Sequence, residues 1–356
     1  MRIAISKRLA IDDWPTAATY VEEAERLGAD DVWSAEAWGH DAVTPLAYLA
    51  ARTTRIRLGT GIMQAGTRTP ALVAMTAMSL SAMSDRRFVL GLGVSGPQVI
   101  EGWHGVVFDR PVQRMREIIE IVRLVARGER LNYQGRVYQL PLPNSEGKAL
   151  RSGAPAVPPI PIYLATLSPK SLEFTGEVAD GWLGTSFMPE HAGVFFEPLA
   201  RGAARAGRKL ADLDLQAGGT VAFGDDVDRL IAERRPGLAF TLGAMGSARH
   251  NFYNDAFRRA GYVDVAAEVQ RLWLAGHRDE AVARVPDELV LKTNLIGTES
   301  MVRARLAAYR ASGITTLRVE PAGQTLDERL ATLARLIALA RPEEKSPRAP
   351  AAGRSR

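Results

Sequence analysis

Short runs of β-branched and aliphatic residues recur along this chain at 2–6, 31–35, 56–62, 88–93, 160–165, 181–185, 215–223 and 315–320, each bounded by Gly or Asp. Between them lie stretches with helical spacing. A strand that needs a crossover helix before the next strand can pair leaves few folds open, all built on a parallel sheet. Eight such units fit a closed barrel better than an open doubly wound sheet, so the expected fold is α/β, a TIM (β/α)8 barrel. Ala17, Val21, Ala24 and Leu27 share one helix face, with Asp12 or Asp13 as N-cap and Gly28 as the stop. A second helix runs over 111–126, where Ile118, Ile119, Val122 and Val125 keep the period before Gly128. A last one occupies 326–339.

Two spacings are too wide for plain units and predict insertions after strands four and seven. The first, 129–159, carries a small strand pattern at 131–139 and the Pro-rich run APAVPPIP. The second is about ninety residues long, too long for bare loop. Its stretch 255–285 is amphipathic through Ala266, Val269, Leu272 and Trp273, which predicts helices packed as a lid or flank. GDDVD at 224–228 reads as a helix N-terminus. Residues 1–342 form one expected barrel domain, and 343–356, rich in Pro, Ala, Arg and Ser, form an expected disordered basic tail.

Composition removes whole classes of chemistry. The absence of cysteine excludes thiolate nucleophiles, disulfides and Cys-ligated metals, so redox chemistry requires a borrowed cofactor. Histidines 40, 104, 191, 250 and 277 form no metal-spaced pair, and GVSGP is not a nucleophile elbow. The net charge of +5 comes without a stripe of basic and aromatic residues, against nucleic-acid binding. The most apolar window, 71–83, is too short and too polar to span a membrane, and MRIAISKRLA reads as a first strand. A cytoplasmic protein is expected.

GLGVSG at 91–96 matches G-x-G-x-x-G, but three β/α units precede it and Pro97 follows. That context suits close backbone approach to a flat ligand at a barrel strand's C-terminal end better than a Rossmann turn. Other predicted strand ends supply polar company: Glu36, Trp38 and His40 after strand two; Gly61, Ile62 and Gln64 after strand three; Val94, Ser95 and Gly96, then Glu101, Trp103 and His104, after strand four. Ala165, Thr166, Leu167 and Ser168 follow strand five at a helix start suited to phosphate, and Gly184, Thr185 and Ser186 follow strand six.

The stretches VWSAEAWGHDAVTPLAYLAARTTRIRLGTGI and GLGVSGPQVIEGWHG resemble the luciferase-like monooxygenase superfamily, in its branch that uses the deazaflavin coenzyme F420. The resemblance covers roughly residues 2–184 and includes methylenetetrahydromethanopterin reductase-like proteins. It implies an insertion-bearing TIM barrel with the ring at the mouth, and a nonprolyl cis peptide in strand three matching Gly61–Ile62. It also implies that Glu36 matches the acid after strand two, that Gly93, Val94 and Ser95 match the loop at the ring edge, and that Ala165, Thr166 and Thr185 match the loops around the phosphate tail. The F420-dependent glucose-6-phosphate dehydrogenases place a His after the strand-two acid and a Glu in the strand-four loop. Ala37 and Gly96 stand there instead, which argues against sugar phosphate oxidation.

The resulting expectation is an F420-dependent oxidoreductase that moves a hydride between the deazaflavin and a small organic substrate at a C=C, C=N or alcohol carbon. Glu36, His40 or His104 would handle the proton. Two rivals stand beside it: an FMN-dependent monooxygenase and a cofactor-binding protein without turnover. A homodimer through helices on the strand-two to strand-four side is also implied. Specificity is expected in 251–285.

Overall fold

The structure, a computed structural model, describes residues 1–6, 13–246 and 251–341. Eight parallel strands close on themselves: β1 (Arg2–Ser6), β2 (Asp31–Ser34), β3 (Arg57–Thr60), β4 (Phe88–Gly93), β5 (Ile162–Leu164), β6 (Gly181–Leu183), β7 (Asp214–Ala217) and β8 (Thr316–Pro321). Pairing of Ile3 with Leu317 joins the last strand to the first. This is a TIM barrel, and every run singled out in the sequence supplies one wall strand.

Local chemistry sets the helices. Helix Trp14–Leu27 begins at Asp13, whose carboxylate accepts the Thr16 amide at 3.1 Å, and ends at Gly28 in the left-handed region. Asp12 lies outside the described residues. Helix Pro111–Ala126 buries Ile118, Ile119, Val122 and Val125, and helix Leu326–Ala340 starts with a capping box between Thr325 and Glu328. Among the described residues no helix is long and apolar enough to cross a membrane. The tail 343–356 and His250 lie outside the described residues.

The insertions are placed as expected but differ in content. After β4, a short helix Pro97–Ile100 interrupts the loop, and the hairpin of Tyr133–Gln134 and Gln139–Leu140 is fixed by Glu117, which accepts amides from Arg136, Val137 and Tyr138. The run 215–223 is two strands rather than one. The chain breaks at Gly218, where a Cβ would sit 2.0 Å from the Arg318 carbonyl oxygen. The second piece, Thr220–Phe223, runs on beside the end of β8, with Thr220 opposite Glu320, and on its other edge pairs with Leu295–Gly297, a strand the sequence reading did not see. Helices Val227–Gly243, Phe252–Arg259, Val263–Leu274, Arg278–Ala283 and Asp287–Thr293 then build a satellite core with Ala266, Val269, Leu272, Leu289 and Val290 inside. Asp226 caps the first of these, so GDDVD opens a helix.

β3 and β4 are out of step. Gly59 pairs with Val89 but Met63 pairs with Leu92, so three residues of one chain span what two cover in the other. This is a β-bulge. The Gly61–Ile62 peptide inside it is cis. The Thr60 hydroxyl fills the gap in the ladder, donating to the Gly91 carbonyl and accepting the Gly91 amide, both at 2.8 Å.

The barrel interior has two tiers. Ala4, Trp33, Val89, Tyr163 and Leu183 pack in the middle. Below them, at the N-terminal end, lies a charged tier that the sequence reading missed. Asp214 takes hydrogen bonds from Arg2, Arg57, Tyr163, Gln216, Thr315 and Thr316, while Arg57 forks onto Asp31 at 2.5 and 2.8 Å.

Candidate active site

The candidate residues collect at the C-terminal rim, and the barrel ladder makes them contiguous. Ala65 bonds the Gly93 carbonyl at 2.8 Å, Ala165 bonds the Leu92 carbonyl at 3.0 Å, and Trp182 Nε1 bonds the Thr166 carbonyl at 3.0 Å. The ends of β3, β4, β5 and β6 therefore form one wall.

Glu36 is the most heavily bonded group of that wall. One carboxylate oxygen accepts the Gln64 amide at 2.8 Å and Arg68 Nη1 at 2.6 Å; the other accepts the Ala42 amide at 3.0 Å and Arg68 Nη2 at 2.9 Å. Its own amide bonds the Ile62 carbonyl at 3.3 Å. The carboxylate thus ties the loop after β2 to the bulge that carries Ile62 and Gln64. Arg68, absent from the sequence-based candidates, is the cation that makes this possible. A lone arginine in GTRTP, one loop away from a lone rim acid, was the available signal.

His40 and His104 are both exposed. The His40 ring meets the Trp14 ring edge-on at 5.4 Å. No hydrogen bond or ion pair joins either histidine to Glu36. Of the remaining described histidines, His191 packs on Tyr262 and His277 bonds Glu280.

Several polar groups at the rim or in the tier below it lack partners among the described residues. Gln64 Oε1, Ser186 Oγ and Trp33 Nε1 are buried without a hydrogen bond. The amides of Val94, Ser95 and Gly96 donate to no described residue. Ser95 and Ser186 hold φ of 59° and 54°, a region non-glycine residues visit seldom and mostly where surrounding structure demands it. Buried polar groups are ordinarily satisfied, so a cluster of orphans beside a bulge marks a place where a ligand completes the bonding. The loop 94–96 offers donors and Gln64 an acceptor, which suits the mixed polar edge of a flat heterocycle.

On the β5 and β6 side, Thr166 is buried with its hydroxyl 2.7 Å from that of Thr175. Leu167 is buried and its carbonyl accepts Arg259 Nη2 at 2.6 Å. Ser168 caps helix Pro169–Val178. Gly184 is buried and Thr185 half-buried. Arg318, also missed, reaches from β8 to donate to the Gly184 carbonyl at 2.6 Å. An arginine in the middle of the strand run TLRVEP was its signal, since charged residues rarely sit in barrel strands.

Rv3520c of Mycobacterium tuberculosis, whose name assigns it to the coenzyme F420-dependent oxidoreductases, is 42% identical over 310 residues, covering 85% of this chain and 89% of that protein. The 5,10-methylenetetrahydromethanopterin reductase of Archaeoglobus fulgidus is 27% identical over 300 residues, covering 83% and 86%. The structure of the coenzyme F420-dependent tetrahydromethanopterin reductase from Methanopyrus kandleri superposes with a TM-score of 0.74 at 21% identity, covering 94% of this chain and 97% of that one, a likeness of fold. The family profile of the luciferase-like monooxygenases matches residues 3–316, and the chain belongs to that family.

Proposed function

We propose that this protein is an oxidoreductase that uses coenzyme F420 and passes a hydride between the deazaflavin and a small organic substrate held at the barrel mouth. The observation that carries the reading is the row of unpartnered amides at Val94, Ser95 and Gly96 beside the bulge. Similarity to Rv3520c, whose name carries F420 dependence, supports that cofactor. Bound there, the deazaflavin supplies hydride chemistry through a carbon where a flavin carries its oxygen-reactive nitrogen.

The chain's own residues then divide the remaining tasks. Gly61, Ile62, Gln64 and the 94–96 amides would hold the deazaflavin, and Ala165 to Ser168 with Gly184 and Thr185 would hold its phosphate-bearing part. Glu36 has both oxygens engaged, so its task is positioning: it keeps Gln64 and Ile62 where the ring needs them, acting together with Arg68. His40 and His104, exposed at the rim, are the proton carriers.

Titration of the purified protein with F420 and, separately, with FMN tests this. The expected result is micromolar or tighter binding of F420 with much weaker binding of FMN. Preference for FMN, with oxygen uptake by the reduced complex, would instead make it a monooxygenase, and tight F420 binding without hydride exchange across a broad panel would make it a binding protein. Glu36→Ala is expected to weaken F420 roughly tenfold by freeing the bulge and leaving Arg68 unpaired. Replacing His40 or His104 by Ala is expected to leave F420 affinity intact and to cut turnover by about 10²-fold or more for whichever carries the proton. Unchanged turnover in both variants would remove them from the mechanism.

The reading includes a homodimer. Helix Pro70–Met83 exposes Leu72, Met75 and Met83, and helix Val43–Ala50, packed against it, exposes Tyr48. Exposed apolar stripes of this kind mark contact surfaces. Light scattering is expected to give a dimer mass for the native protein and a monomer mass for a Leu72→Glu, Met75→Glu double variant. A native monomer would refute the interface.

A further inference from the structure

Arg318 differs from the other half-buried arginines that line this barrel. Arg2, Arg57 and Arg68 each face a carboxylate. Arg87 lacks one, but donates to the carbonyls of Ala50, Thr53 and Ile56 and to the Thr53 hydroxyl. Arg318 makes a single hydrogen bond, to the Gly184 carbonyl, and no described acid lies within ion-pair distance.

Its position gives the guanidinium a direction. Arg318 pairs with Ala4, whose side chain belongs to the barrel interior, so in a parallel ladder Arg318 points inward too. Gly184 follows the last residue of β6, so the bond to its carbonyl places the guanidinium at the C-terminal rim. Ser186, two residues on, is the site of one of the buried orphan hydroxyls. Tyr253, from the insertion helix Phe252–Arg259, packs against the barrel core within electrostatic reach of Arg318. Burial draws the guanidinium's pKa down to about 10, with Tyr253 opposing, while burial raises that of the Tyr253 hydroxyl, which stays a proton donor. A half-buried cation with no carboxylate beside it is costly to a fold, and it is expected where a ligand supplies the counter-charge.

We propose that Arg318, with Tyr253 beside it, recognises a carboxylate on the substrate, so that the organic partner in the reaction is an acid. This rests on the mouth being the reaction site of the F420-dependent reading above. Guanidinium is suited to a carboxylate because its fork can make two parallel charge-assisted hydrogen bonds. A neutral analogue of the same shape leaves those donors unpaired and is rejected.

Calorimetric titration of the full-length protein, with and without saturating F420, tests the proposal, using cinnamate and its neutral isostere cinnamamide as probes. Cinnamate is expected to bind at least tenfold more tightly than cinnamamide. Arg318→Met should erase that preference, Arg318→Lys should restore part of it, and Tyr253→Phe should reduce it severalfold. Arg318→Met should also bind F420 within twofold of the native affinity. Equal or absent binding of the two probes by the native protein overturns the proposal, as does a preference that survives Arg318→Met. Loss of tenfold or more in F420 affinity on Arg318→Met also overturns it, because the guanidinium would then serve the cofactor's acidic tail. If the native protein discriminates between the probes but binds no F420, the cofactor reading fails while the anion site stands.

Discussion

Replacing Asp214 by Asn is expected to lower the melting temperature by about 5 °C at pH 7. The side chain keeps its shape and loses its charge, and the loss falls on a site where Arg2 and Arg57 both converge. Burial by itself would raise the Asp214 pKa. Hydrogen bonds from Thr315, the charge of Arg2, and hydrogen bonds from Gln216 and Tyr163 outweigh it and hold the carboxylate well below its usual range. Removing one member of such a network costs about 3–5 kcal/mol, because Arg57 loses one of its two carboxylates and the surrounding Tyr163, Gln216, Thr315 and Thr316 donors lose a charged acceptor. At roughly 2 cal/mol/K per residue of unfolding entropy, that cost corresponds to the shift stated for a chain of this size.

The pH dependence follows from the direction of the shift. A carboxylate whose folded pKa is depressed contributes its full stability above its unfolded value, about 3.9, and loses it as the pH falls through the folded value. The gap in melting temperature between native protein and variant should therefore be constant from about pH 7 to pH 5 and narrow below about pH 4. Thermal denaturation followed by circular dichroism at several pH values reads both. A variant that melts with the native protein at pH 7 would show that the charged tier does not hold the barrel closed. F420 affinity should change little, since this tier lies at the end of the barrel opposite the rim.

Gly91→Ala is expected to act on both stability and the site. The added Cβ would sit 1.8 Å from the Thr60 carbonyl oxygen and 3.1 Å from a Leu183 methyl. The nearer atom is backbone, and the Thr60 hydroxyl already clamps the Gly91 amide and carbonyl, so the strain cannot be relieved by a side-chain rotation. β3 must move away from β4 at the bulge. Overpacking of this kind costs about 3 kcal/mol, and the displaced segment carries Gly61, Ile62 and Gln64. Reduced soluble yield, a lower melting temperature and at least a tenfold loss of F420 affinity are the expected results. Gly39→Ala, where a Cβ meets nothing within 4 Å, serves as the control and should change none of them. A Gly91→Ala protein that folds and binds F420 like the native one would refute the close approach of β3 and β4.

Different parts of this molecule were legible in the sequence to different degrees. Each barrel strand announced itself because its side chains are buried on both faces, which writes a continuous apolar run into adjacent residues. Helix limits at Asp13, Gly28, Asp226 and Thr325 were readable in most cases because capping joins residues three or four apart. The break at Gly218 and the strand 295–297 were not. The first depends on backbone contact with Arg318, a hundred residues away in sequence, and the second is short and pairs outside the barrel wall.

The same division runs through the site. Which residues stand at the strand ends followed from the alternation of strands and helices, because a parallel barrel sends every loop after a strand to one rim. What those residues do at the rim depended on partners from other loops. Glu36 looked like a free acid until Arg68, Gln64 and Ala42 closed around it. Arg318 stands out only in the folded barrel, which turns it inward with no carboxylate beside it. The sequence by itself determined the order of elements, their ends and the face that holds the site, since these follow from burial patterns and hydrogen bonds among near neighbours. Only the tertiary structure decided which charges are neutralised and which wait for a ligand, since pairing and desolvation depend on distances between residues far apart in the chain.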